Sequence, residues 1–220
     1  MTPPSSYPPQ TRLRVVRGGA ALQADPAAIE EIDELDEQEL VAQVARGNRE
    51  ATAELYDLHV GRVDATIARI LGRRESDHDD LVQAAFIQIV TSFDRFDGGC
   101  SLATWVTKIS AHVAYNALRS RRRSRAVFSA TEAPVDAGGM TSGTDPGLLM
   151  RLRAALASLS PEKAETILLH DMLGHDLSEV AKLTGVTVAA AQSRLVRSRR
   201  ELRDMLEGED KNDDSEGGAR

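Results

Sequence analysis

Asp176-Leu177-Ser178-Glu179-Val180-Ala181-Lys182-Leu183-Thr184-Gly185-Val186-Thr187-Val188-Ala189-Ala190-Ala191-Gln192-Ser193-Arg194-Leu195 reads as two helices joined by a tight turn. Asp176 and Glu179 have capping-box spacing, with an acid in place of the usual Ser or Thr. Val180, Ala181 and Leu183 supply the apolar side of a short helix. Gly185 can take the positive φ that the turn needs. Thr187 then caps a last helix running to about Leu206. Ala191, Leu195, Leu202 and Met205 or Leu206 fall on one side of it, and Gln192, Ser193, Arg194, Arg197, Arg199, Arg200 and Arg203 on the others. This is the outline of a helix-turn-helix. Early residues of such a second helix reach base edges in the major groove, and later arginines reach phosphates. The competing reading is a solvated basic face on an ordinary helix bundle.

Working back toward the N-terminus, Leu148, Leu149, Leu152, Leu156 and Leu159 form one apolar stripe. Ser160-Pro161 opens the next helix, with Pro at its first position. Ile167, Leu168 and Met172 fill that helix and Gly174 stops it. Residues 124–146 are rich in Gly, Ser, Thr, Ala and Pro and have no period, so they read as a flexible linker.

Before the linker the helical pattern returns. Leu40, Val41 and Val44 recur at helical spacing up to Gly47, and a second helix spans about 49–71. A third begins near Ser76 or Asp77, with acids in its first turn where the helix dipole favours them. Its stripe is Val82, Phe86, Ile89, Val90 and Phe93. After the break Asp94-Arg95-Phe96-Asp97-Gly98-Gly99-Cys100, Ser101 can cap a fourth helix carrying Leu102, Trp105, Val106, Ile109, Val113 and Leu118. That helix ends in Arg119, Arg121, Arg122, Arg123 and Arg125. The arginines suit phosphates. Trp105, Phe93 and Phe96 suit either a core or stacking on unpaired bases.

The expected fold is all-α: two small helical domains joined by a flexible linker, the second containing the helix-turn-helix. The expected boundaries are a disordered extension over 1–35, a first domain over 36–123, the linker over 124–146, a second domain over 147–206 and a disordered acidic tail over 207–220. Aromatics make up only 4% of the chain, too few for a typical sandwich or barrel. The net charge of −7 is unevenly spread. Asp25 to Glu39 holds eight acids and no base, and Glu207 to Glu216 holds six acids and one lysine. The body between these flanks is basic, which suits a nucleic-acid partner. The flanks either aid solubility or compete with DNA for the basic faces. A single cysteine, no signal-peptide pattern and no long apolar run fit a cytoplasmic protein without membrane insertion.

The combination is more specific than its parts. Asp77-His78-Asp79-Asp80-Leu81-Val82-Gln83-Ala84-Ala85-Phe86, then Phe96-Asp97-Gly98-Gly99, then Leu102-Ala103-Thr104-Trp105-Val106-Thr107-Lys108-Ile109 and the arginine run resemble the second conserved region of bacterial sigma factors, particularly the extracytoplasmic-function group of the sigma-70 family. Leu156-Ala157-Ser158-Leu159-Ser160-Pro161, Glu179 to Gly185 and Ser193 to Leu202 resemble that family's fourth region. The resemblance implies a transcription initiation factor, not an enzyme, with no cofactor or metal. It implies core RNA polymerase as partner, through the β′ clamp helices and the β flap, together with promoter DNA and an anti-sigma factor. Asp80, Leu81, Val82, Gln83 and Phe86 would dock on polymerase. Phe96, Asp97, Gly98, Ser101, Trp105, Lys108, Arg119, Arg121, Arg122 and Arg123 would engage the minus-10 element, whose base is captured by the 94–101 loop. Thr187, Ala190, Gln192, Ser193, Arg194 and Arg197 would read the minus-35 element. The chain departs from the family at His112 and Asn116, and at Ala190 and Gln192, where the family commonly has a Thr and a basic residue. Those last two changes weaken phosphate anchoring.

Other readings explain less. A DNA-binding regulator independent of polymerase leaves the acid-Leu-Val-Gln stretch and the Trp105 helix without a role. A recombinase-like enzyme would need a Ser or Tyr nucleophile with arginine partners. A metal on Asp77, Asp79 and Asp80 beside His78 competes with an acid-capped helix start, and Cys100 reads as a small loop residue ahead of a thiol sensor.

Overall fold

The computed structural model describes residues 34–128 and 146–216, and every regular element among them is helical. The extension before Glu34 and the linker from residue 129 to 145 lie outside the described residues. Eight α-helices follow in order: α1 (Glu34–Ala45), α2 (Arg49–Leu71), α3 (His78–Thr91), α4 (Leu102–Phe128), α5 (Pro146–Leu156), α6 (Pro161–Ile167), α7 (Leu177–Thr184) and α8 (Val188–Glu216).

In the first module α2, α3 and α4 pack pairwise around one core, with α1 laid against α2. Asn48 starts α2, its side-chain oxygen accepting from the Glu50 and Ala51 amides at 2.9 and 3.3 Å. Leu55, Val63, Ile67 and Ile70 then recur on the buried face. Gly72 ends the helix at φ +80°, in left-handed backbone that a side chain adopts only at a cost. Val82, Phe86 and Ile89 bury one side of α3, and Phe93 follows in a single 3₁₀ turn. Ser101 caps α4 as expected, its hydroxyl oxygen accepting from the Thr104 amide at 3.2 Å. The free Leu102 amide at the same helix start donates to the Glu37 carboxylate of α1. An acid of the negative flank is therefore a structural cap as well as a charge.

In the second module α6 and α7 pack on α8, and α5 lies along α8. Pro161 occupies the first turn of α6 after Ser160. The helix then widens into a π turn over Leu168–Met172 before Gly174. The Asp176–Glu179 capping box is complete, with the Glu179 amide donating to Asp176 at 2.8 Å. Thr187 caps α8 through the Ala190 amide at 3.2 Å.

Two features differ from the sequence reading. α4 continues to Phe128, into the stretch read as linker, and α8 continues to Glu216, into the stretch read as a disordered tail. Both extensions follow a helix already nucleated and packed, so each further residue adds a hydrogen bond without a new nucleation cost. The two modules also touch. One apolar cluster runs from Leu40 and Ile67 through Tyr115 to Leu156, Leu159, Ile167 and Leu195. A smaller cluster of Leu169, Val180, Ala181, Leu183 and Ala191 holds the helix-turn-helix together.

Candidate nucleic-acid interface

The residues assigned to polymerase docking lie on α3 and split by depth. Val82 and Phe86 are buried, Leu81 is half-buried, and Asp80 and Gln83 are exposed. Beside them α2 and α3 enclose an open groove of about 1010 Å³ lined by Thr52, Tyr56, Val60, Gln83, Phe86 and Ile87 among others. Tyr56 tilts against Phe86 with ring centroids 4.6 Å apart. Tyr56 is 44% exposed and Ile87 58% exposed, so the groove offers apolar surface to a partner. Sequence reasoning missed both residues. The available signal was Ile87, an apolar side chain out of phase with the buried stripe of α3.

Around the minus-10 candidates, three aromatics share one nest. Trp105 is 9% exposed and lies 5.2 Å from both the Phe93 and the Phe96 ring centroids. Of the two roles open to it, Trp105 occupies the core one here, and Phe96, half-buried, forms the lid of the nest. The loop beyond is tightened by Asp97, whose Oδ1 accepts from the Gly99 amide at 2.9 Å. Gly98 and Ser101 are exposed. The neighbouring Cys100 thiol is pushed up from its ordinary pKa, first by burial and then by the Asp97 carboxylate. This favours the protonated, unreactive form.

The arginine run does not act as one patch. Arg119, Arg122 and Arg123 are exposed. Arg121 turns inward and grips the start of α3, its two guanidinium nitrogens donating to both Asp77 oxygens at 2.7 and 2.9 Å and to Glu75 at 3.0 Å. A side chain held in that fork is a structural tie, whereas its sequence position suggested a phosphate contact. Lys108 is likewise engaged. Its ammonium donates to the Leu183 carbonyl at the end of α7 and stands 3.8 Å from Glu165.

The acids near His78 lie apart from one another in role: Asp77 is held by Arg121, and Asp79 and Asp80 are exposed. His78 is buried with Nε2 2.7 Å from Asp64 Oδ1, and Arg74 pairs with the same carboxylate. The Arg74 hydrogen bond holds the Asp64 carboxyl below its usual range, helped by His78 and opposed by partial burial. Among the described residues no cluster of three or more His, Cys, Asp and Glu side chains could hold a metal. Among the same residues no helix is long and apolar enough to cross a membrane.

On α8 the minus-35 candidates Thr187, Ala190, Gln192, Ser193 and Arg197 are all exposed along the first turns. Arg194 is half-buried, close enough to Glu162 for its charge to favour that carboxylate. Val188 and Val196 add exposed apolar surface four residues either side of Gln192. Arg199 is tied back to Asp171, Nε to Oδ2 at 2.9 Å, which raises the guanidinium pKa further. The exposed face of this helix thus mixes small and apolar side chains with Gln192, Ser193 and Arg197 and is free of carboxylates over its first three turns.

Comparison with known proteins matches this division. Residues 55–124 fit the family described as Sigma-70 region 2, and residues 149–202 fit Sigma-70, region 4. The RNA polymerase sigma factor CarQ of Myxococcus xanthus is 31% identical over 160 residues, covering 73% of this chain and 91% of that protein. The ECF RNA polymerase sigma-E factor of Escherichia coli (strain K12) is 28% identical over 180 residues, covering 76% of this chain and 92% of that protein. A solved structure of CnrH in complex with the cytosolic domain of CnrY is 28% identical, covers 78% of this chain and 97% of that one, and superposes with a TM-score of 0.48. The chain belongs to the sigma-70 family of RNA polymerase sigma factors, in its extracytoplasmic-function group. It is therefore a transcription initiation factor that directs core RNA polymerase to promoters, and sigma factors are transcription factors.

Proposed function

We propose that the work is divided among three surfaces. The α2–α3 groove, with Asp80, Leu81 and Gln83 on its rim side and Tyr56, Phe86 and Ile87 in its wall, takes the clamp helices of the polymerase β′ subunit. The 94–101 loop and the exposed Arg119, Arg122 and Arg123 hold the melted minus-10 strand. The first turns of α8 read the minus-35 duplex while the second module rests on the β flap. The observation that carries this reading is the separation of an exposed apolar groove on one module from an exposed carboxylate-free helix face on the other. The first is suited to protein and the second to DNA.

In this reading the chain performs no catalysis. Strand opening is driven by binding energy for unpaired bases, with stacking worth about 1–3 kcal/mol per base. The protein works in the cytoplasm, where polymerase and promoter are. An anti-sigma protein is its expected inhibitor, by likeness to CnrH, whose solved structure includes the cytosolic domain of CnrY.

The test is reconstitution. Core polymerase supplied with this chain and fragments of genomic DNA is expected to yield transcripts with discrete start sites that core polymerase alone does not make. Identical transcript profiles with and without the chain overturn the proposal.

A further inference from the structure

The division of surfaces above leaves α1 without a task, although this helix reaches the base-capture loop from both sides. It is anchored by Leu40 and Val44, which are buried in the cluster that also holds Phe93 and Trp105. It packs on α2 and on the 3₁₀ turn Phe93–Arg95. That turn is the entry to the loop, where the Phe96 amide donates to the Phe93 carbonyl at 3.1 Å. The exit of the loop is the first turn of α4. There the Ser101 hydroxyl oxygen serves the Thr104 amide, and the Ser101 carbonyl accepts from the Trp105 amide at 3.0 Å. The Leu102 amide is served from α1, by the carboxylate of the half-buried Glu37.

The loop has little with which to fix its own position. Gly98 and Gly99 are exposed and carry no side chain, and Gly98 stands at φ +73°. Asp97 closes one tight turn by accepting from the Gly99 amide at 2.9 Å. That local bond sets the turn, but it does not set where the turn stands over the nest of Phe93, Phe96 and Trp105. A segment with so few packed side chains opens at low cost, and a strand that had to order it would bind more weakly for doing so. A bond from a packed helix removes that freedom before the strand arrives. The start of α4 suits such a bond, because its first amides have no acceptor within the helix and the positive end of its dipole favours a carboxylate. The Glu37 charge also faces the loop itself. After burial and Asp97, it is among the carboxylates that push the Cys100 thiol up.

We infer that Glu37 is a positioning residue for strand capture, through which α1 pins the junction of the 94–101 loop and α4 and holds the loop in its receiving shape. The inference rests on the assignment of that loop to the minus-10 strand proposed above. Glu37 touches no base and acts through the Leu102 amide. Its action is one of bond geometry, not of charge. A neutral acceptor on a side chain of the same length therefore serves in its place, whereas a carboxylate one methylene shorter does not reach.

Full-length Glu37→Gln, Glu37→Asp and Glu37→Ala are compared with the wild type, and unchanged helical circular dichroism establishes folding. In the free chain, the reaction rate of Cys100, the single cysteine, with a soluble aromatic disulfide reagent reads the order of the loop. In the complex with core polymerase, affinity is measured for a promoter recovered from the transcription test. The same promoter is then measured with each minus-10 base of the captured strand replaced in turn by an abasic site. The wild type is expected to lose at least about ten-fold at one abasic position. Glu37→Ala and Glu37→Asp are expected to label at least about three-fold faster. They are expected to bind the intact promoter about ten-fold more weakly, and to lose less than about two-fold at that same abasic position. Glu37→Gln is expected to follow the wild type throughout. A full abasic loss in Glu37→Ala overturns the inference, because the base is then captured without the pin. An unchanged thiol rate in Glu37→Ala overturns it too, as does recovery by Glu37→Asp and not by Glu37→Gln, which assigns the effect to charge. Should Glu37→Ala not fold, the Gln and Asp variants carry the same decision between them. Failure of the transcription test with labelling in the expected order would instead strike the proposed function and leave the pin between α1 and α4 standing.

Discussion

At the scale of single residues, position in the sequence and physical role separate most clearly in the arginine run. Arg121 is held by Asp77 and Glu75, while Arg122 and Arg123 point to solvent. Arg121→Ala is expected to lower unfolding stability by about 1–2 kcal/mol, because it strips the two-pronged partner from Asp77 at the start of α3 and leaves Glu75 to Arg73 alone. Arg122→Ala and Arg123→Ala are expected to leave stability unchanged and to weaken strand binding, with a shallower salt dependence. Urea titration of the three variants beside a salt series of DNA binding checks the split. His59 gives a second test. It is buried, neither ring nitrogen has a protein partner, and burial, aided by Arg62, lowers its pKa to about 4. In the unfolded chain the ring protonates near 6.5, so as pH falls the unfolded state gains its proton first. Stability is therefore complete above about pH 6.5 and is lost progressively toward pH 4, by about 2–3 kcal/mol from this group. Thermal melts of His59→Leu between those limits are expected to show a flatter pH dependence than the wild type, and parallel curves would contradict the assignment.

At the scale of elements, local chemistry carried most of the information. Capping at Ser101, Asp176 and Thr187 was readable because each cap is a side chain bonding an amide two or three residues on, all within one short window. The turn between α7 and α8 belongs to the same class. Gly185 sits at φ +69° with open space where a Cβ would be, so Gly185→Ala incurs only the backbone cost of left-handed geometry. It is expected to destabilise the chain by about 1–2 kcal/mol. It is also expected to weaken minus-35 duplex binding, with Gly185→Asn closer to wild type on both counts. Calorimetry and a duplex titration measure the two effects. What was not legible is equally physical. The far ends of α4 and α8 lack an apolar period, and their helicity is inherited from packed turns before them. Arg121 could not be told from its neighbours, because its partners Glu75 and Asp77 lie more than forty residues away.

At the scale of the whole molecule, the two-module organisation was legible from the periodicities and the composition of the stretch between them, whereas the docking of one module on the other was not. Tyr115, Lys108, Arg69 and Arg153 are ordinary helix residues in sequence, and their acceptors are backbone carbonyls, which no side-chain pattern announces. The groove was half legible: the acidic and apolar stretch of α3 marked it, and the contribution of α2 did not show until Tyr56 met Phe86. Ile87→Glu places a charge in the groove at an already exposed position. It is expected to weaken core polymerase binding at least about ten-fold, or about 1.4 kcal/mol. Stability should change by no more than about 0.5 kcal/mol, with minus-35 duplex binding unaffected. Gln83→Ala is expected to act in the same direction more weakly. Co-sedimentation with core polymerase separates these variants from the wild type. The 27-residue helix α4 carries one further consequence. It is an unbroken shaft with the Trp105 nest near one end and the Arg121 fork near the other, and its angular phase links them. Inserting or deleting one residue between them would rotate one end against the other by about 100°. The helix should thus accept many replacements along its exposed side but resist any change of length, so that drift among related chains is confined to spelling and excluded from counting.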